Sequence, residues 1–258
     1  MSGCIELTRE GLLAVVTLSN PAKFNAMSRS MWRQLREVFL ALQAEADLRV
    51  VLLRGEAGHF CAGGDIAEYE SFRFERDSLR AFHEEEVWGG LEAMLACDIP
   101  LLAQIEGNCM GAGVEIASCC DLRLASKDAR FGAPIAKLGF PMAPREAALV
   151  AMALGESTAR QMLLAAQVLQ APVLAERGFL HHLLPPDELA SACLELAQAM
   201  ARLAPQAARM NKRTLRQWRQ QGEAALPALV AQSYDYADSP EHREGIAAFM
   251  AKRPPVFP

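Results

Sequence analysis

The fold of this chain is decided by His59-Phe60-Cys61-Ala62-Gly63-Gly64-Asp65-Ile66, a glycine-rich stretch that follows the short apolar run Val50–Leu53. A second stretch of the same kind, Gly107-Asn108-Cys109-Met110-Gly111-Ala112-Gly113-Val114-Glu115, follows the apolar run Leu101–Ile105. Short apolar runs are typical of buried strands. Each stretch therefore predicts a tight turn between a strand and a helix, where small residues let a ligand approach the main chain.

Two such turns can act on one ligand. The unpaired amides at a helix N-terminus favour negative charge. Two of them aimed at one thioester oxygen would form an oxyanion hole, in which each donor is typically worth about 3–4 kcal/mol in the transition state. A turn without a ligand is the alternative for either stretch alone, because glycine-rich turns are common. Neither stretch has the spacing of a dinucleotide fingerprint or a phosphate loop.

The remaining chain predicts a β/α-rich region followed by helices. An apolar, β-rich run at Leu12–Leu18 predicts a strand that ends at Asn20-Pro21. Ser28 can cap a helix whose apolar residues recur at helical spacing. Those residues are Met31, Leu35, Val38 and Leu42. Leu122 and Leu124 alternate with polar residues and predict a half-buried strand, and from about Pro144 onward helical periodicity dominates.

Further motifs occur in a fixed order along the chain. They are Asn20-Pro21-Ala22-Lys23-Phe24-Asn25-Ala26-Met27, Ala129–Pro134, and the closing Ser239–Gly245 and Ala247–Arg253. With the two glycine-rich turns, they resemble the motifs of the crotonase (enoyl-CoA hydratase/isomerase) superfamily over nearly the whole chain. The resemblance implies an α/β fold with two parts: a core of ββα turns forming a spiral (residues 1–190), and a C-terminal helical region (residues 191–258) that packs in trimers, often paired as hexamers.

The resemblance also implies a coenzyme A thioester as the substrate. Gly64 and Ala112 would supply the two oxyanion amides, and Glu115 would be the acid/base. The candidates for binding coenzyme A are Lys23, Ala62, Ile66 and Lys252. Ala62 and Ile66 would lie near the adenine, and Lys23 and Lys252 near the nucleotide phosphates. Lys252 would come from a neighbouring subunit. A solvated surface charge is the alternative for each lysine.

One carboxylate of a hydratase is missing. A hydratase of this family resembles a two-carboxylate device, in which one group deprotonates water and a proton reaches the α-carbon. The first acid is Glu115, but the second, twenty residues further on, is Ile135 here, and another position used by some relatives is Ala143. One base suffices to move a double bond. Decarboxylation or thioester hydrolysis needs still less acid/base catalysis, because the oxyanion hole stabilises the enolate or tetrahedral intermediate. The alternative for Glu115 is a glutamate paired with the helix dipole.

Other polar residues lie near the predicted pocket. Arg145 and Glu146 follow Pro144 near a helix start and would either enter the pocket or cap the helix, with capping or surface pairing favoured. The segment 68–83 is expected to border the acyl pocket. His83 precedes Glu84–Glu86, which favours a solvated acidic face.

Composition narrows the classes of partner. The 258 residues are 52% hydrophobic and 22% charged with a net charge of -5, which argues against nucleic acid as the main partner. Seven cysteines without a C-x-x-C pair predict buried free thiols in a reducing cytoplasm. No signal peptide, membrane span or metal site is predicted, since His181-His182 lacks ligand partners at metal spacing. Apart from the coenzyme A thioester substrate, no cofactor is predicted.

The sequence thus predicts a hydratase or isomerase acting on an enoyl-CoA or a related thioester, in fatty acid metabolism. Because of Ile135, a decarboxylase, a hydrolase and a coenzyme A-binding protein with little catalysis remain alternatives. RNA binding has little support in the net charge or in only three tryptophans and three tyrosines.

Overall fold

The strands form two sheets in a computed structural model that describes residues 3–258. In chain order they are β1 (Cys4–Glu10), β2 (Leu13–Ser19), β3 (Val50–Gly55), β4 (Leu101–Ile105), β5 (Asn108–Met110), β6 (Leu122–Ser126), β7 (Arg130–Gly132), β8 (Val168–Gln170) and β9 (His182–Leu184). The six-stranded sheet has the order β1-β2-β3-β4-β6-β9, and only β1 runs antiparallel to its neighbour. The three-stranded sheet has the order β5-β7-β8.

Helices connect the strands and then fill the C-terminal part of the chain. They are α1 (Arg29–Gln43), α2 (Arg76–Ala81), α3 (Trp88–Ala96), α4 (Ala112–Cys119), α5 (Pro144–Leu154), α6 (Glu156–Leu164), α7 (Ala171–Glu176), α8 (Pro186–Ala201), α9 (Pro205–Gln221), α10 (Leu226–Gln232) and α11 (Pro240–Met250). A π-helical turn, Phe82–Val87, joins α2 to α3. Short 3-10 helices occur at Pro21–Lys23, Ile66–Ser71, Pro134–Leu138 and Gly222–Ala225.

The strands β2, β3, β4 and β6 and the helix α1 confirm the predicted elements. The half-buried character predicted for β6 is wrong, because the Arg123 side chain is buried and donates to main-chain carbonyls inside the protein. The Ser28 hydroxyl accepts a hydrogen bond from the Met31 amide at 3.2 Å, which caps α1. Met31, Leu35 and Leu42 are buried on one face of that helix. Periodic apolar residues and a capping serine therefore sufficed to predict this element.

The main sheet separates two apolar layers. Along β3, Val51 and Leu53 pack into the larger core, whereas Val50 and Leu52 face the opposite layer. This alternation follows from the two-residue period of a strand. The opposite layer is closed by α8, whose buried residues are Leu189, Cys193, Ala197 and Ala201. The predicted division between residues 190 and 191 falls inside α8, so the first C-terminal helix packs on the sheet.

The cysteines are free thiols, and six of the seven are buried. Within the described residues, no cluster of histidine, cysteine, aspartate and glutamate has the geometry to hold a metal ion. In residues 3–258 no helix combines the length and the apolar character needed to cross a bilayer. Met1 and Ser2, which belong to the segment where no signal peptide is predicted, lie outside the described residues.

Candidate active site

The two glycine-rich turns lie against each other. The Cys61 amide donates to the Asn108 carbonyl at 2.9 Å, and the Met110 amide donates to the Cys61 carbonyl at 2.8 Å. Gly113 permits this contact, because a Cβ atom at that position would lie 2.9 Å from the Cys61 carbonyl oxygen. Main-chain hydrogen bonds thus bring the two segments to the edge of one cavity.

Within residues 3–258, two main-chain amides at this edge have no hydrogen-bond acceptor. Met27 pairs with both neighbours of Gly64: its amide donates to the Gly63 carbonyl at 2.7 Å, and its carbonyl accepts from the Asp65 amide at 2.8 Å. The Gly64 amide takes no part in this pairing. Ala112 is the first residue of α4, where amides lack a partner within the helix. Among residues 3–258 neither amide donates a hydrogen bond, and both residues line the same cavity of about 220 Å³.

Tyr69 covers Gly64. A Cβ atom added to Gly64 would lie 2.0 Å from the Tyr69 hydroxyl oxygen, so only glycine fits beneath this ring. Burial raises the pKa of Tyr69 to about 12, against the opposing effect of the Arg73 charge, and nearby carboxylates raise it further. The phenol therefore stays neutral at physiological pH and keeps its hydroxyl proton beside the Gly64 amide.

Glu115 is a buried carboxyl that faces the cavity from the first turn of α4. Its residue is 7% exposed, and among the described residues its carboxyl has no hydrogen-bond partner. Burial raises its pKa well above the ordinary range, and the negative charge of Glu146 raises it further. Both effects disfavour the ionised form. Glu115 therefore remains a neutral acid at pH values where an exposed glutamate is ionised.

This raised pKa predicts how stability depends on pH. Above the ordinary glutamate pKa of about 4.3, the unfolded chain loses a proton that folded Glu115 keeps. The free energy of unfolding should therefore fall as pH rises from that value toward the raised pKa. Glu115→Gln cannot lose this proton, so its free energy of unfolding should not fall in this way. The difference in melting temperature between the variant and the wild type should therefore increase in favour of the variant as pH rises from 5 to 8. Thermal unfolding of both proteins and of the exposed control Glu176→Gln measures the difference; a constant offset for Glu115→Gln would contradict the burial of an acid.

A second carboxyl enters the cavity from α5. Glu146 lies in the first turn of that helix, is 3% exposed and accepts a hydrogen bond at 2.9 Å from the His83 Nδ1 atom. The His83 Nε2 atom lies 3.4 Å from Arg73 Nη1. The predicted capping role of Glu146 is therefore wrong, because its carboxyl turns into the cavity. Arg145 does lie at the surface, 3.5 Å from the Glu84 carboxylate.

The predicted site residues are distributed unevenly around the cavity. Those that line it are Ala62, Gly64, Ile66, Ala112 and Glu115. Lys23 lies beside it, with its Nζ atom 2.5 Å from an Asp65 carboxylate oxygen. Lys252 follows α11 and is not among the cavity-lining residues of the described chain. Ile135 lines the cavity, so the position of the missing glutamate is apolar inside the site.

The segment 68–83, expected to border an acyl pocket, lines the cavity. It contributes Tyr69, Arg73, Phe82 and His83 to the cavity wall. Sequence reasoning singled out neither the tyrosine nor the arginine, and it favoured a solvated position for His83. The side chain of His83 is only 17% exposed. No motif or spacing in the sequence marks these residues, because their approach to the glycine-rich turns depends on tertiary packing.

Comparisons with known proteins agree over the whole chain. A family model described as enoyl-CoA hydratase/isomerase matches residues 8–258. The chain is 31% identical to the 2,3-dehydroadipyl-CoA hydratase of Escherichia coli K12, covering 97% of each protein. It is 28% identical to the short-chain-enoyl-CoA hydratase of Clostridium acetobutylicum, covering 96% of this chain and 94% of that protein. A crystal structure described as an enoyl-CoA hydratase/carnithine racemase from Magnetospirillum magneticum superposes with a TM-score of 0.94 at 34% identity, covering 98% of this chain and 95% of that one.

Proposed function

Because the chain belongs to the enoyl-CoA hydratase/isomerase family, we propose that it adds water across the double bond of a 2-enoyl-CoA. Processing of acyl-CoA thioesters by an enzyme of this family is supported by the family match and by the named relatives. The resemblance to the crotonase superfamily and its α/β fold are confirmed by the same matches. The alternatives of a decarboxylase, a hydrolase or a binding protein with little catalysis are not favoured.

One observation carries the proposed chemistry: two free amides and a neutral buried acid line a single cavity. We propose that the Gly64 and Ala112 amides hold the thioester oxygen, where negative charge develops as the enolate forms. Fixed donors in a site that excludes water stabilise that charge more than the uncharged ground state. Glu115 then exchanges a proton with the acyl chain. Shifting the double bond is the second candidate reaction, since one acid/base suffices for it.

The coenzyme A moiety is proposed to extend from this cavity past the first glycine-rich turn. Ala62 and Ile66 flank the amide of Gly64 and are assigned to the adenine. Lys23 and Lys252 are assigned to the nucleotide phosphates, and Lys252 would come from a neighbouring subunit. The proposal requires no further cofactor, because coenzyme A is part of the substrate.

We propose that the chain assembles as a homotrimer or as a hexamer of paired trimers. Large apolar side chains are exposed along the C-terminal helices, and exposed apolar patches mark interaction surfaces. They are Leu215, Trp218, Leu226, Val230, Ile246, Phe249 and Met250. Light scattering coupled to gel filtration should give a trimeric or hexameric mass. Phe249→Glu should lower that mass, because the Phe249 side chain is 81% exposed in the monomer and a charge there would oppose its burial in a subunit interface. Gln232→Glu introduces the same charge as a control, and a monomeric wild type would refute the assembly.

A cytoplasmic setting in fatty acid metabolism is also proposed. The unpaired thiols support a reducing compartment, in which cysteines persist without disulfides.

Purified protein offered crotonyl-CoA, a 3-enoyl-CoA and a malonyl-type coenzyme A thioester tests the reaction. Hydration of crotonyl-CoA is expected. It can be measured as the loss of absorbance of the conjugated thioester. Conversion of the 3-enoyl-CoA alone would favour the isomerase. Acyl-CoA binding without turnover of any of the three would reject the enzyme in favour of a binding protein.

A further inference from the structure

The cavity holds two carboxyls although the second hydratase position is Ile135. Both Glu115 and Glu146 line the cavity, and each is more than nine-tenths buried. The negative charge of Glu146 raises the pKa of Glu115, so the two carboxyls interact electrostatically. They come from different helices, α4 and α5. The second acid absent from its expected place is thus present on another wall of the same cavity.

The two carboxyls differ in their partners. Glu146 accepts a hydrogen bond from His83, whereas Glu115 has no protein partner in the described chain. An arginine side chain can only donate, so the Arg73 contact makes His83 Nε2 the acceptor and leaves the ring proton on Nδ1. That proton points to the Glu146 carboxyl, which accepts it in a hydrogen bond of 2.9 Å. The two carboxyls therefore lie in different environments, one hydrogen-bonded to an imidazole and one without a partner in the described chain, and such a difference favours separate acid and base roles.

We propose that Glu146 is a second catalytic acid/base of this enzyme, and that His83 is its positioning residue. The inference rests on the proposed hydration. The Glu146 carboxylate accepts one proton of the attacking water while the water oxygen bonds to the β-carbon. The electron pair of the double bond moves into the thioester, and Glu115 delivers a proton to the α-carbon as the enolate collapses. Glu146 gains one proton and Glu115 loses one, so proton exchange between them resets the site.

The π-helical turn is what presents His83 to Glu146. This turn, Phe82–Val87, interrupts the helix formed by α2 and α3, and such wide turns recur at functional sites. His83 is the second residue of the turn, and its neighbour Phe82 is buried against the core. The ring therefore has two contacts besides Glu146: the Phe82 ring, whose centroid lies 5.0 Å away in an edge-to-face arrangement, and Arg73 at its Nε2 atom.

Few other groups near the pair change charge in the neutral range. Those that face the two carboxyls are Cys61, Tyr69, Arg73, His83 and Cys119. Burial raises the pKa of both the Cys61 thiol and the Tyr69 phenol to about 12, and that of Cys119 well above its usual value. His83 is the one imidazole among these groups, and a His83→Asn variant removes it.

Steady-state hydration of crotonyl-CoA by Glu146→Gln tests the catalytic role. The variant should lower kcat by about 10²–10⁴-fold, the usual contribution of a general acid or base, while acyl-CoA binding is retained. Glu115→Gln should lose the high-pH limb of the pH profile from its residual rate, because the raised pKa of Glu115 sets that limb. Glu156→Gln, an exposed glutamate on α6, is the matched control and should behave as the wild type.

Two substitutions of His83 separate positioning from a merely structural role. His83→Leu removes the donor and should lower kcat by about 10²-fold, the cost of misplacing a catalytic group. His83→Asn keeps an N–H near the Nδ1 position and should recover most of that loss. If folded Glu146→Gln hydrates at the wild-type kcat, the inference is wrong and the proposed function stands. If the wild type hydrates no enoyl-CoA, both fail together.

Discussion

Ala112→Pro is expected to lower kcat by about 10²–10³-fold, the range found when one oxyanion donor is lost. Proline has no amide hydrogen, so the substitution deletes one of the two proposed donors. Ala112 is the first residue of α4, a position where proline is ordinarily tolerated because the amide has no partner within the helix. The change should therefore remove a donor without unfolding the helix.

The measurement pairs kcat with a test of folding. Circular dichroism and thermal unfolding establish that Ala112→Pro is folded, and titration with a saturated acyl-CoA establishes that it still binds. Glu156→Pro places the same residue at the first position of α6, away from the cavity, and should retain activity. A folded Ala112→Pro enzyme with undiminished kcat would show that this amide does not hold the thioester oxygen.

Glu115→Gln should lower kcat to a small residual rate while leaving acyl-CoA binding in place. A general acid or base contributes about 10²–10⁴-fold to a rate, and glutamine retains the shape of glutamate without its transferable proton. Glu115 is suited to the role because its acid form persists in the buried cavity. Loss of the carboxyl should also remove a destabilising group, so the variant should lose activity and gain stability at pH 8.

Two readouts make this result specific. Hydration of crotonyl-CoA gives kcat. Deuterium incorporation at the α-carbon in D₂O reports the proton transfer to that carbon by itself. Both should fall in Glu115→Gln and stay unchanged in the exposed control Glu176→Gln. If deuterium incorporation at the α-carbon is unchanged in Glu115→Gln, another group transfers that proton and Glu115 has no part in the proposed step.

Sequence reasoning succeeded where structure depends on local pattern. The buried strands β3 and β4 and the glycine-rich turns after them follow from continuous apolar runs and from small residues next to them. It did not identify β1, because this edge strand exposes most of its residues, including Leu7, and so has little apolar signal. The strands β5, β7 and β8 span only three residues each, too few for a periodic pattern.

The polar half of the site was beyond the reach of local pattern. Glu146 looked like a capping residue because it lies in the first turn of a helix, and His83 looked solvated because glutamates follow it. Their contact joins residues 63 positions apart. It depends on how α5 packs and on the wide turn before α3, and neither is encoded in the residues nearby.

The wide turn at Phe82–Val87 has a consequence for how this site can change. A π-helical turn holds one residue more than an α-helical turn, so deleting one residue from it would restore a regular helix and leave the helical segments on either side in nearly the same register. The face of α3 that packs against α1 would stay in place, while the turn would no longer present His83 to Glu146. A single-codon deletion is therefore enough to remove the polar partner of Glu146 while the carboxyl itself stays on α5, so this hydrogen bond can be lost or regained in evolution without a change of fold.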